Sequence, residues 1–409
     1  MKCRICNTNI EKPFLSLGNQ PLSNSFIKEE DLYKKEEYYP LDVYVCPTCK
    51  LVQVADYVPS NNIFKSDYAY FSSYSKTWVE HCEQYVSMIV ERLKLNNKSR
   101  VIEIGSNDGC LLQNFEKYGI TNIVGVEPSL DTANAAIVKG IKTHKSFFNL
   151  HYVENLLGNP VIDLIIGNNV FAHNPNLNEF VYAMKKALKS DGTITLEFPH
   201  LLQLMKNNLF DTIYHEHYSY FSLSTANRLL RGNKLFIYDV EEIPTHGGSL
   251  RIYVCHLDDY TKKESSNVGR ILMEESQYSL DNLHTYYYDF ANRVIQYRKN
   301  ILQFISVSSF KKKIVCYGAA AKANTLLNYC GIGKEFIDYI VDISPHKQDL
   351  YLPGTHIPIY HPDKIKETKP DYIIIMPWNI KHEIVKQLEY TKEWNCKLIT
   401  LIPKIEILE

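Results

Sequence analysis

The run Tyr214-His215-Glu216-His217-Tyr218 sets two imidazoles, a carboxylate and two phenols side by side. Such groups can remove a proton, orient the base that removes it, and donate to a developing oxyanion. Imidazole has the ordinary pKa nearest neutrality, so His215 and His217 are rival candidates for a general base. In extended backbone, alternate side chains face opposite ways, which groups His215 with His217 and Tyr214 with Glu216. For Tyr214, Glu216 and His217 to converge, the segment must bend.

A second constellation opens the chain. Cys3-x-x-Cys6 and Cys46-x-x-Cys49 are the halves of a four-thiolate site, each pair on a tight turn that lets both sulfurs face one tetrahedral metal. Iron fits such a set, as does a thiol or redox pair without metal, but zinc is the default for four closed thiolates. The residues between the pairs are too poor in apolar side chains to build a core alone, so a structural role is expected of the metal. Beyond them, Ser66-Asp67-Tyr68-Ala69-Tyr70-Phe71-Ser72-Ser73-Tyr74-Ser75 leads into a predicted helix over 78–95. Tyr68, Tyr70 and Tyr74 either pack between domains or line a cleft.

These groups need a scaffold, and the central sequence describes one. Val101-Ile102-Glu103-Ile104-Gly105 reads as a buried strand ending at glycine, and Ser106-Asn107-Asp108-Gly109 turns the chain into a helix over 110–118. That arrangement brings backbone N–H groups to a ligand at the sheet's C-terminal edge. The next strand ends at Glu127, whose carboxylate can accept both hydroxyls of a ribose. Further strands are predicted at 142–144, 161–168, 193–199, 235–242 and 249–255, alternating with helices. The last two are joined by a short connection containing His246, compatible with an antiparallel final strand. The titratable run at 214–218 falls after the fifth strand and before a helix at 225–232, over the ligand-binding edge.

From Lys312 the pattern starts again. A strand enters Gly318-Ala319-Ala320-Ala321-Lys322-Ala323-Asn324, a later strand ends at Asp342, and another ends at Pro377-Trp378-Asn379. A distant internal duplication is one account of this. The small-residue turn and Lys322 can meet a pyrophosphate, with Lys347 as a further cation. A degenerate fold kept for packing or dimerisation is the other.

Composition narrows the partners. In 409 residues, Lys+Arg 45 balances Asp+Glu 46, which gives no electrostatic case for nucleic acid or a polybasic membrane anchor. No run is long and apolar enough for a membrane span, and the N-terminus lacks a signal peptide's apolar core. The ten cysteines fall as two metal-type pairs and six scattered in apolar runs, the pattern of a reduced cytoplasmic protein. The 30 tyrosines suit a polar substrate or reflect compositional drift.

Glu103-x-Gly105-x-x-x-Gly109 with Glu127 resembles the nucleotide motif of class I S-adenosylmethionine methyltransferases, with Asn107 where a middle glycine is usual. Taken alone the turn would also suit NAD. Together with the four cysteines, Asn168-Asn169-Val170-Phe171-Ala172-His173 and the 214–218 run, the whole chain resembles the nucleotide-sugar C-methyltransferases. The resemblance implies an α/β fold. A zinc-binding module (1–75) would precede a class I methyltransferase domain (76–262), followed by a second Rossmann-like, nucleotide-sugar-binding domain (263–409). It implies methyl transfer to C3 of a 4-keto deoxysugar nucleotide, with His217 as base, Glu216 and Tyr214 assisting, and Tyr68 lining the cleft. Glu103, Gly105, Asn107, Asp108, Gly109, Glu127, Asn168 and Asn169 would hold S-adenosylmethionine. His246, Gly318, Ala320, Lys322, Asn324 and Lys347 would meet the substrate. A monomer is compatible with this organisation. Competing readings are an O- or N-methyltransferase acting on a nucleotide sugar, and a zinc-ribbon binding protein with degenerate cofactor folds.

Overall fold

A computed structural model describes residues 1–59, 63, 70–157, 162–278 and 285–408. The chain forms two compact units, each assembled from separate stretches. The first comprises Met1–Glu11, Val45–Leu202 and His217–Asn282; the second comprises Lys12–Tyr44, Gln203–Glu216 and Leu283–Glu409. Among the described residues no helix is long and apolar enough to cross a membrane.

Near the N-terminus β1 (Leu15–Gln20) pairs antiparallel with β2 (Tyr39–Val45). In the first unit β3 (Val52–Val54) follows the second cysteine pair. The central sheet then begins with β4 (Val101–Ile104), β5 (Ile123–Val126), β6 (Thr143–His144), β7 (Ile162–Asn168) and β8 (Leu188–Pro199). The short β9 (Ser219–Tyr220) leaves this sheet to pair with β3, and β10 (Leu235–Ile243) with β11 (Ser249–His256) completes it.

The order across the sheet is β6-β5-β4-β7-β8-β11-β10, with β11 antiparallel to both its neighbours. This is the seven-strand class I methyltransferase arrangement. The inner strands read as near-continuous apolar runs because both their faces are covered. The helix Lys76–Leu93 supplies part of that cover, burying Cys82, Tyr85, Val86 and Ile89; the Ser75 side chain caps it by accepting from the Trp78 N–H at 3.3 Å. Where a helix was predicted over 110–118, the chain forms a 3-10 helix, Leu112–Tyr118. Asn114 accounts for part of this: its side-chain amide donates to the Cys110 and Leu111 carbonyls at 3.1 and 3.3 Å, competing with regular helical bonding.

The second unit carries its own sheet, from β12 (Ile314–Tyr317), β13 (Ile340–Val341), β14 (Ile359–Tyr360), β15 (Tyr372–Ile375), β16 (Lys397–Thr400) and β17 (Glu406–Leu408). Its order is β14-β13-β12-β15-β16-β17, parallel throughout except β17. The long helix predicted over 280–305 is observed as Tyr286–Ser308; its expected first residues lie outside those described.

The two sheets repeat one another in hydrogen bonding as well as pattern. The Gly105 N–H donates to the Val126 carbonyl at 2.8 Å, and Gly318 to Val341 at 2.7 Å. Asp163 accepts from the Arg100 N–H and from the Lys189 ammonium, at 2.8 and 3.0 Å. Asp371 accepts likewise from Lys313 and Lys312, at 2.9 and 2.7 Å.

Candidate active site and metal centre

The four cysteines meet in the first unit. Their sulfurs all lie within 4.8 Å of one another, with Cys3–Cys49 at 3.3 Å and Cys6–Cys46 at 3.5 Å. Tetrahedral zinc–thiolate bonds of about 2.3 Å imply sulfur–sulfur edges of about 3.8 Å, so the set fits a zinc ion. Two matched turns build it. Asn7 and Lys50, each just past a second cysteine, take left-handed conformations at φ 58° and 63°. Their N–H groups close on the carbonyls of Cys3 and Cys46, both at 3.0 Å. Both turns lack glycine at this position, where it would cost less.

At the C-terminal ends of β4, β5 and β7 stand the residues expected to hold the methyl donor. Gly105 turns the chain at φ 66°, and a Cβ there would press on Val170 at 3.3 Å. Glu127 accepts from the Asn107 and Ser129 N–H groups at 2.9 and 2.8 Å, which shapes the turn while leaving lone pairs for a diol. Asn107, at φ 49°, accepts from the Ser72 N–H and donates to the Tyr70 carbonyl, tying the segment before the Lys76–Leu93 helix to the turn. Gly109 packs close to Ile141, and Asp108 is paired with Lys139 at 3.0 Å.

Several buried polar atoms here have no hydrogen-bond partner among the described residues. Among them are one oxygen each of Glu103 and Asp108, both amide atoms of Asn168, and the Asn169 oxygen. Burial, reinforced by Cys110, Asp108 and Glu127, pushes the Glu103 carboxyl well above its ordinary value. A ligand carrying an ammonium, a carboxylate and a ribose would satisfy this set, so the residues fit S-adenosylmethionine.

Asn169 is also left-handed, at φ 54°, and its amide nitrogen lies 3.1 Å from His246 Nε2. The predicted donor and substrate residues Asn169 and His246 are thus neighbours.

The titratable run turns at His215–Glu216. The chain passes from the second unit to the first between Glu216 and His217. His215 is buried, with Nε2 3.2 Å from the Pro40 carbonyl and its ring edge-on to Tyr39; burial holds its pKa below the ordinary value. Glu216 is also buried, and the Asn24 amide donates to both its oxygens at 2.7 and 2.9 Å. His217 is half-buried, its ring edge-on to His173 at 4.7 Å and to Tyr220 at 6.0 Å. Tyr214 is half-buried as well. Tyr68 lies outside the described residues.

In the second unit Gly318 takes φ 93°, and any Cβ there would sit 2.3 Å from the Pro377 ring. Ala320 caps the helix Ala321–Cys330, and Asn324 is fully buried, accepting from Asn328 at 3.1 Å. Lys322 donates to Asn379 at 2.7 Å and lies over the Trp378 ring, whose N–H donates to Asp211 at 2.7 Å. Burial pushes the Asp211 carboxyl up to about 6, while the Lys322 charge opposes it. Lys347 is buried, donating to the Ala319 carbonyl at 2.9 Å and pairing with Asp342 at 3.3 Å.

Sequence reasoning missed Asn24, His81, Glu197 and Asp211. Glu197 carried a signal, an acid within the apolar strand Thr195-Leu196-Glu197-Phe198, and Asp211 stood just before the titratable run. Asn24 and His81 carried none.

Residues 3–64 match a family described as "Putative zinc binding domain", 78–235 a "Methyltransferase domain", and 244–403 a "C-methyltransferase C-terminal domain". C-methyltransferase NovU from Streptomyces niveus is 32% identical over 410 residues, covering 100% of this chain and 96% of that one. Among solved structures, an S-adenosylmethionine-dependent methyltransferase from Clostridium acetobutylicum matches at TM-score 0.36 and 12% identity, over 44% of this chain and 92% of that one. The magnesium protoporphyrin IX methyltransferase of Synechocystis matches at TM-score 0.34 and 14% identity, over 44% of this chain and 81% of that one. Matched end to end by one C-methyltransferase and part by part by these domains, the chain belongs to the C-methyltransferase family and is an S-adenosylmethionine-dependent enzyme.

Proposed function

We propose that the enzyme methylates C3 of a 4-keto deoxysugar nucleotide through an enolate, in cytoplasmic branched-sugar synthesis for a surface polysaccharide or a natural product. The observation that carries this reading is the full-length relation to a C-methyltransferase. A carbon acceptor has no lone pair to offer, so the protein must first make a carbanion. The 4-keto group acidifies the C3–H bond, and the run at 214–217 supplies what deprotonation needs.

His217 takes the C3 proton, and the charge left behind spreads to the C4 oxygen, to which Tyr214 donates. Glu216, fixed by Asn24, orients the substrate or the base. Tyr68 belongs to the same cleft on the resemblance alone. S-adenosylmethionine supplies the electrophilic methyl group, which C3 takes as the carbon–sulfur bond breaks. Glu103, Gly105, Asn107, Asp108, Gly109, Glu127, Asn168 and Asn169 hold that donor. Gly318, Ala320, Lys322 and Asn324 face the nucleotide diphosphate, with Lys347 as a further cation, and His246 meets the sugar.

Two measurements test this. Incubation with S-adenosylmethionine and a 4-keto-6-deoxyhexose nucleotide in deuterated solvent should give a C-methylated sugar by mass spectrometry, with solvent deuterium entering C3 of recovered substrate. A methyl group found on oxygen would sink the carbon reading. For the donor site, Glu127→Gln should raise the dissociation constant of S-adenosylhomocysteine about 10-fold, the effect of weakening a hydrogen bond to a charged group. Unchanged affinity would remove Glu127 from that site.

A further inference from the structure

Glu197 lies near the end of β8, fully buried, with no role in the reaction as described above. An isolated carboxylate there would be costly, and three partners explain its presence. It meets His81 Nε2 at 2.9 Å, Arg251 at 3.1 Å and the Thr245 hydroxyl at 3.0 Å. Burial alone would raise its pKa, but His81 and Arg251 hold it below the ordinary value.

What the carboxylate holds is strained. His246 sits at φ 54° and is followed by Gly247 at 87° and Gly248 at 118°, three successive left-handed or open conformations. A histidine in this region persists only where its surroundings fix it. Thr245 is the fixed point. Its carbonyl accepts from the Gly248 N–H at 3.0 Å and from the Ser249 hydroxyl at 2.9 Å, while its own hydroxyl is anchored on Glu197.

The far end of the same residue grips the donor site. The backbone carbonyl of Glu197 accepts from the Asn169 N–H at 2.7 Å, and Asn169 is itself left-handed. His246 Nε2 then accepts from the Asn169 amide nitrogen at 3.1 Å, which leaves the Asn169 oxygen buried without a partner among the described residues. Trp78, tilted against both His81 and His246 at ring separations of 5.0 and 5.8 Å, closes the group.

We propose that Glu197 is a positioning residue acting through Thr245 and His246. It clamps two strained backbone sites at once, so that the imidazole orients the Asn169 amide and aims its oxygen at the methyl donor. The ligand class is that of the donor site, an S-adenosyl amino acid. This rests on the donor residues proposed above and is independent of the acceptor's identity.

The test is a double-mutant cycle on the full-length enzyme, read by calorimetric binding of S-adenosylhomocysteine. Thr245→Val deletes only the anchoring hydroxyl and should weaken binding about 10-fold. Thr245→Ser should bind as the parent does. In a His246→Ala background Thr245→Val should cost nothing more, because the residue it acts through is gone. Parent-like affinity for Thr245→Val would overturn the proposal, and so would an equal loss in both backgrounds, the mark of a merely structural hydroxyl. Should Thr245→Val fail to fold, the cycle of Asn169→Ala with His246→Ala interrogates the same relay; additive losses there would overturn it. A failure of sugar methylation with the cycle intact would count against the substrate, not the clamp.

Discussion

His217→Ala is expected to lose methyl transfer by about 10²- to 10⁴-fold, the usual contribution of a positioned general base, while binding S-adenosylhomocysteine as the parent does. On the proposed enolate route, exchange of the C3 proton with solvent should fall by the same factor, because both processes would pass through the same deprotonation. The expectation rests on placement. The imidazole of His217 is half-buried beside His173, whereas that of His215 is buried on the Pro40 carbonyl. A base must meet its substrate and cycle between protonation states, and burial already disfavours the charged form of His215. His215→Ala should therefore act mainly on stability, through a lost buried hydrogen bond and lost packing against Tyr39. Parent-like exchange by His217→Ala, with exchange abolished in a folded His215→Ala, would exchange the two roles.

Much of this placement was legible in the chain because local pattern encodes it. Cys-x-x-Cys pairs declare a thiolate site, and strand, glycine turn and acid-terminated strand declare a parallel α/β sheet at both Gly105 and Gly318. The antiparallel β11 could be read from the short connection that precedes it. The unread parts depend on long-range partners. Asn24 and Glu216 are 192 residues apart, and nothing near Asn24 marks it as the group that pins a carboxylate. Glu197 interrupts an apolar strand, and Arg251 and His81, which make its burial tolerable, come from a later strand and an earlier helix. The 3-10 geometry of Leu112–Tyr118 escaped notice since apolar spacing alone does not register Asn114 competing for backbone carbonyls. The division of the chain between Glu216 and His217 has no local marker either, since it follows from which residues each half packs against.

Loss of one thiolate should do more than open the metal site. Cys49→Ser is expected to leave less than one zinc per chain by elemental analysis and to introduce an early unfolding transition. Structural zinc contributes about 10–16 kcal/mol to the folding of small modules. A whole domain is stable by only about 5–15 kcal/mol, so the metal decides whether the turns persist. Within the first unit those turns lead directly to the candidate base. Arg4, between Cys3 and Cys6, donates to the Tyr218 carbonyl at 3.1 Å and lies over its ring. The same carbonyl accepts from Val54 at 3.1 Å, and β3, which follows Cys49, pairs with β9 two residues beyond His217. Without the metal the segment holding His217 loses both supports. Turnover should then fall along with zinc content, whereas S-adenosylhomocysteine affinity should hold, because Glu103 lies in β4 and Glu127 directly follows β5 of the central sheet. Full turnover in zinc-free protein would show that the two turns close on their own hydrogen bonds. An equal loss of donor affinity would show instead that the metal supports the whole first unit and not the His217 segment in particular.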